Sequence, residues 1–380
     1  MVAAMHIGKL APALPSVRAD LGLGMVTGGW IVSIMSVVGL VLGMAAGVIG
    51  DKFGAARTLA AGLVVCAIGG IWGAVSTGAL QILLSRMVEG LGFIFIVVPA
   101  AAVIAGAAHG PARRLAFGIW GSYMPVGTML TFVLAPTLLS SIGWRGMWGV
   151  IAACCLLCLV PVARYLDVSR PAAEHVDFPL RERLAVVLSQ RGVWLTSMIF
   201  AAYAFQWIAL MIWLPTLLVE GRGVTLATAS LMTAGIVLVN IPGNLMGGWL
   251  LRHGVKHWQI IFAASVIMGV SGFGVFAEGT PFWLFYGCCM LFSGCGGMLP
   301  ATALACGALF VPDPAKMGAA NGLIVQGAHL GQVAGPPALA ALVSYFGGWS
   351  AAGWLMAAGA GLAMIMALML AGYERRASAP

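Results

Sequence analysis

Gly47-Val48-Ile49-Gly50-Asp51-Lys52-Phe53-Gly54-Ala55-Ala56-Arg57 is a short polar break between two long apolar blocks. Gly47 lets helices approach closely, Gly54 permits a tight turn, and Asp51 can pair with a cation or a helix N-terminus across a bundle. The flanking blocks, about 25 to 50 and 58 to 76, are each near the roughly 20 residues that cross a bilayer as a helix. Read outward from this break, the chain divides into twelve such blocks. They cover about 1 to 14, 25 to 50, 58 to 76, 79 to 108, 115 to 139, 146 to 165, 193 to 219, 225 to 251, 258 to 277, 281 to 311, 316 to 345 and 349 to 373. Of the 380 residues, 61% are hydrophobic and 8% charged, against about 25% charged in a soluble domain. Apolar blocks this long also exclude an outer-membrane barrel, whose segments run about 10 residues with alternating polarity. The sequence reads as an all-α integral membrane protein.

The cations set its orientation. Fourteen of the 19 basic residues fall on one side of the alternating connections, among them Lys52, Arg57, Arg113, Arg114, Arg252, Lys256 and Lys316; Arg18, Arg145 and Arg222 fall on the other. Basic loops stay in the cytoplasm, which puts both termini inside a bacterial inner membrane. The net charge of +8 then describes topology and contact with anionic lipid, and no nucleic-acid partner is expected. Residues 166–192 form the one long polar connection, a cytoplasmic linker between an N-terminal bundle (1–165) and a C-terminal bundle (193–380).

The two bundles repeat one plan. At an offset of 200, Ala13-Leu14-Pro15-Ser16 falls on Trp213-Leu214-Pro215-Thr216, and Gly47, Lys52 and Gly54 fall on Gly247, Arg252 and Gly254; Gly143-Trp144 later falls on Gly348-Trp349. An even number of spans per copy makes this the parallel repeat of an alternating-access transporter, with its substrate site between the halves. The repeat also makes the first span look truncated, since 14 residues reach only about 21 Å of a hydrocarbon core about 30 Å thick.

The Gly47–Arg57 stretch, on the cytoplasmic side between the second and third of twelve spans, resembles the signature loop of the major facilitator superfamily, Gly-x-x-x-Asp-Arg/Lys-x-Gly-x-x-Arg/Lys. Arg86-Met87-Val88-Glu89-Gly90-Leu91-Gly92 resembles the superfamily's Arg-x-x-Gln-Gly-x-Gly, with Glu in place of Gln. Gly118-Ile119-Trp120-Gly121-Ser122-Tyr123-Met124-Pro125-Val126-Gly127, with Gly143-Trp144-Arg145-Gly146 and Asn244, is similar to the cyanate and nitroimidazole transporter branch. The drug antiporters' fifth-span Gly–Pro signature is met only in part, at Gly118, Gly121, Pro125 and Gly127. The resemblance implies two six-helix bundles in which the third, sixth, ninth and twelfth spans are peripheral. Those spans carry no polar cluster.

Polar side chains at membrane depth are costly and usually face a cavity. His6 and Lys9, Arg86 and Glu89, Tyr203 and Gln206, Asn240 and Asn244, and Gln326 and His329 are each three or four residues apart and so share a helical face. With Tyr123, these faces are the expected lining of a central cavity. Lys9, Arg86 and Glu89 leave it one positive charge, which suits a small anion held against aromatic walls. Arg86 and Glu89 either lock helices together or carry proton coupling, and Asn240 and Asn244 either line the cavity or mend the backbone around Pro242. Gly47, Asp51, Lys52, Gly54 and Arg57 make the conformational loop. The eight cysteines lie in apolar stretches without metal-ligand spacing and read as small hydrophobes. No catalytic group, cofactor or metal is expected, and no Walker-type phosphate loop occurs. The expectation is a monomeric secondary transporter of a small anion, a symporter driven by protons. An exporter of amphipathic drugs, or a solute sensor on the same scaffold, are the alternatives.

Overall fold

In hydrocarbon every backbone N–H and C=O has to be satisfied within its own segment, so apolar blocks of this length fold as helices. A computed structural model of the chain describes residues 1–107, 123–166, 187–311 and 314–377. The described helices are α1 (Val2–Gly8), α2 (Leu10–Leu21), α3 (Met25–Phe53), α4 (Ala55–Ala74), α5 (Ala79–Ala107), α6 (Tyr123–Tyr165), α7 (Arg191–Arg222), α8 (Leu226–Arg252), α9 (His257–Phe276), α10 (Phe282–Gly296), α11 (Met298–Phe310), α12 (Pro314–Phe346) and α13 (Ala352–Ala377).

These helices supply twelve spans. The first is α1 with α2 and the tenth α10 with α11, while α6 holds the fifth and sixth, folded back at Gly143 (φ 66°, ψ −179°). Nine stretches among the described residues are long and apolar enough to cross a membrane by length and composition alone. The first span is not among them, because it is divided between α1 and α2, of 7 and 12 residues, each too short to cross alone. It runs on to Leu21, beyond the residue 14 expected from hydropathy, and stops where Gly22 turns left-handed (φ 63°). The break between α1 and α2 has a local cause: Pro12 has no N–H to return to the Gly8 carbonyl. Lys9, in the gap, keeps helical torsions (φ −60°, ψ −27°).

The internal repeat recurs in the turns. Left-handed glycines close matching helices in both copies: Gly22 (φ 63°) and Gly223 (φ 66°), Gly54 (φ 94°) and Gly254 (φ 83°), Gly143 (φ 66°) and Gly347 (φ 72°). The last turn glycine is Gly347, one residue before the Gly348 expected from the alignment. A side chain is strained at such φ values, so glycine recurs wherever the turn does.

The chain divides into two compact units, Met1–Val176 with Ile212–Ala234, and Asp177–Met211 with Gly235–Pro380. In the first, α4 packs on α5 and on the second half of α6, and α3 packs on α5. In the second, α9 packs on α10 and on α13. Glycine faces make this close packing possible. A Cβ on Gly62 of α4 would stand 2.8 Å from the Phe95 carbonyl carbon, and one on Gly247 of α8 would stand 2.7 Å from the Met298 oxygen.

Candidate functional site: a buried charge cluster

The two charged pairs of the first unit meet in one place. Lys9 Nζ donates to Glu89 Oε1 at 2.5 Å, Arg86 Nη1 donates to the other oxygen of the same carboxylate, and His6 Nδ1 lies 3.2 Å from both Lys9 Nζ and Glu89 Oε1. Arg86 Nη1 also donates to the His6 carbonyl at 2.6 Å, in the turn that Pro12 loosens. Its Nε reaches the Ile31 carbonyl at 3.4 Å. His6, Lys9 and Glu89 are fully buried and Arg86 is 1% exposed.

Burying a carboxylate and two cations is tolerable only when nearly every lone pair and proton has a partner. The remaining partners come from helices that looked purely apolar. On the fourth span, Glu89 is approached by Gly69 of α4, where a Cβ would stand 2.8 Å from Glu89 Cγ; at Gly70 a Cβ would stand 3.3 Å from His6 Cε1. Cys66 of α4 donates to the Glu89 carbonyl at 3.4 Å. His6 Nε2 contacts Cys155 Sγ of α6 at 3.2 Å, and Lys9 Nζ lies 4.5 Å from the Trp148 ring centroid. The third and sixth spans, expected to be peripheral, therefore line one side of the charge cluster. Two cysteines read as plain hydrophobes are polar neighbours of it. Trp148 gave no signal in the sequence, because nothing in a lone Trp says which helix it will face. The glycine run Gly69-Gly70, with Gly73 one turn on, was the available clue, since small residues mark close approach.

In the second unit, Asn240 Nδ2 of α8 donates to the Ser293 carbonyl of α10 at 2.9 Å and to Tyr203 Oη of α7 at 3.3 Å. Asn244 Nδ2 turns back to Asn240, at 3.0 Å from its side-chain oxygen. The asparagines thus tie three helices together beside the Pro242 kink. Tyr203 stacks on Phe200 with centroids 6.0 Å apart. Gln206 donates to the Ala202 carbonyl of its own helix at 3.0 Å, and its buried Oε1 has no partner among the described residues, as is also true of His329 Nδ1. Gln326 is half-buried on α12. Tyr123 lies at the start of the described part of α6, with its ring centroid 6.4 Å from that of Phe93 in an apolar cluster. The structure therefore joins His6, Lys9, Arg86 and Glu89, and joins Tyr203 to Asn240.

Part of the stretch expected to form the conformational loop is described. Gly54 makes the turn between α3 and α4, and Thr58 Oγ1 donates to its carbonyl at 3.0 Å. Lys52 Nζ lies 5.5 Å from the centroid of the exposed Phe53 ring. Gly47 falls within α3. The side chain of Asp51, residues 108–122 with Gly118 and Gly121, and most of the 166–192 linker lie outside the described residues.

At the Gly22 end of the first unit, Asp20 and Arg145 form an ion pair, each more than two-fifths exposed. Trp144 Nε1 donates to the same carboxylate at 3.1 Å.

Among known proteins, the chain is 26% identical over 250 residues to the multidrug resistance protein MdtH of Aeromonas salmonicida, covering 63% of this chain and 59% of that protein. It is 23% identical over 290 residues to the hexuronate transporter of Bacillus subtilis, covering 69% and 68%. It is 26% identical over 166 residues to an MFS-type transporter of Mycobacterium tuberculosis, covering 44% of this chain and 28% of that protein. In fold it is similar to a bacterial homolog of the human lysosomal transporter Spinster, solved in an inward-facing and occupied conformation: TM-score 0.77, 14% identity, 99% of this chain and 94% of that one. The family model of the Major Facilitator Superfamily matches residues 1–316. With twelve helical spans, a repeat written into its turns and a Gly54 loop between the second and third spans, the chain belongs to the Major Facilitator Superfamily.

Proposed function

We propose that the chain is a secondary transporter that carries a small anionic solute by alternating access, with a proton as its coupling ion. One observation carries this reading: Lys9 and Arg86 share the single carboxylate of Glu89, which leaves one positive charge at a site closed to water. A monoanion alone would neutralise that charge. A proton taken up by Glu89 restores it and at the same time frees Lys9 to hold the anion. Anion and proton entering together leave the site's charge unchanged, whereas either one alone changes it by a unit in a low-dielectric surrounding. His6, within 3.2 Å of Lys9 and Glu89, is placed to relay the proton.

The uneven distribution of basic residues supports a bacterial inner-membrane location with the Gly54 side and both termini in the cytoplasm, which puts the Gly22 end outside. The transporter is proposed to work as a monomer. The Gly118–Gly127 stretch favours the cyanate and nitroimidazole branch, and the hexuronate-transporting relative supports a carboxylate solute. The multidrug relative favours a second reading, export of amphipathic compounds.

Uptake of cyanate, a hexuronate and other small anions into proteoliposomes, with and without an inward proton gradient, tests the proposal. Gradient-stimulated uptake of one anion that is lost in Lys9→Met is the expected result. Drug efflux that survives Lys9→Met would favour the exporter, and binding without flux would mark a sensor; either outcome overturns the anion symporter.

A further inference from the structure

A line of side chains leads from the buried cluster to the outer end of the first unit, and the proposed transport cycle makes no use of it. Lys9 Nζ stands over Trp148, 4.5 Å from the ring centroid. The Trp148 ring meets that of Trp144 edge-on, with centroids 5.4 Å apart and planes at 85°. Trp144 Nε1 donates to Asp20 Oδ2 at 3.1 Å, and the same oxygen accepts from Arg145 Nη1. The Arg145 guanidinium lies 4.3 Å from the Trp144 ring centroid, and its Nη2 donates to the Ser76 carbonyl at 3.0 Å. Both ends of this line belong to the same two spans. Lys9 and Asp20 are on the first, eleven residues and so about 16 Å apart, and Trp144, Arg145 and Trp148 are on the sixth.

Trp148 is fully buried, yet its indole N–H has no acceptor among the described residues. A buried indole normally finds one, and an orphaned donor is destabilising. Phenylalanine would fill most of the same space without that penalty. What the indole alone supplies is the most electron-rich ring face for a cation, and that face lies under Lys9. Gly73 keeps the space open, since a Cβ there would stand 2.7 Å from Trp148 Cδ1.

We propose that Trp148 is a positioning residue for Lys9 and that, through Trp144, it ties the buried Lys9–Glu89 pair to the Asp20–Arg145 pair at the outer end. Lys9 has two competing partners, a carboxylate and a ring. Any displacement of the first span against the sixth at Asp20–Arg145 moves Trp144, then Trp148, and so changes the balance between those partners. The transport consequence rests on the reading that Lys9 and Glu89 carry the chemistry; the side-chain column itself does not.

Two measurements on the full chain separate these points. In protein labelled with 5-fluorotryptophan in detergent micelles, the fluorine resonance lost in Trp148→Phe is that of Trp148. Asp20→Asn, at an exposed position, is expected to shift that resonance, as is Lys9→Met; the line of the exposed Trp283 is expected to stay in place. An Asp20→Asn spectrum in which only the Trp144 line moves would overturn the column. In proteoliposomes, Trp148→Phe, which keeps a weaker ring face, is expected to raise the KM for the anion about threefold, and Trp148→Leu, without a ring face, about tenfold. Equal uptake by the Phe and Leu variants would overturn the positioning role. If the parent takes up none of the anions, the transport reading fails, and the fluorine shifts still decide whether the column exists.

Discussion

Glu89 holds two cations at once, and this asymmetry governs what substitutions around it should do. Removing Lys9 leaves a balanced Arg86–Glu89 pair, whereas removing the Glu89 charge strands Lys9 and Arg86 together with no counter-charge. Breaking a buried pair costs about 3–5 kcal/mol, so Glu89→Gln is expected to melt well below Lys9→Met in a detergent thermal-shift measurement. In the proposed cycle, Glu89→Gln imitates the protonated state. The transported anion should then raise the melting temperature of Glu89→Gln more than that of the parent; no stabilisation by any anion that the parent transports would argue against Lys9 as its partner.

At the scale of the helix, small residues decide which elements can touch. Gly327, Gly331 and Gly335 lie along one face of α12, against the carbonyl oxygens of Ser197, Ala201 and Phe205 on α7. A Cβ on Gly331 would stand 2.7 Å from the Phe205 nitrogen, and backbone cannot swing aside as a long side chain can. Gly331→Ala is therefore expected to destabilise the protein by roughly 1–3 kcal/mol, measured by thermal shift. By contrast, Gly361→Ala, with open space around its Cβ, should be neutral or slightly stabilising through better helix propensity. This dependence was legible in part. The glycine-rich character of the spans announced close packing, but the partner of each glycine depends on how each helix is rotated, and a hydropathy profile carries no rotation. The kink at Lys9 was similarly within reach, since Pro12 removes a specific hydrogen bond. The continuation of the first span to Leu21 was not, because a window average stops at the first polar residues.

For the whole molecule, the proposed topology has a direct test that is independent of any solute. A cysteine placed in the polar linker, Ser169→Cys, is expected to react with a membrane-impermeant maleimide only in inverted vesicles, and Ser141→Cys, exposed beside the Gly143 turn, only in right-side-out cells. Reversed labelling would overturn the orientation and with it the naming of the Gly22 end as outer. The number of spans, the internal repeat and the Gly54 turn were all set by the sequence itself. Each depends on local quantities: the length of an apolar run, the sign of nearby charge, or a torsion that glycine adopts at low cost. The charge cluster was readable as two separate pairs with the right net charge. Only the tertiary structure decided that His6 and Lys9 meet Arg86 and Glu89 some eighty residues away, that Cys155 and Trp148 close over them, and that Asn240 joins Tyr203 rather than an open wall. Contacts across such distances are fixed by helix rotation and close approach, which arise from the packing of all the spans together and not from any one of them.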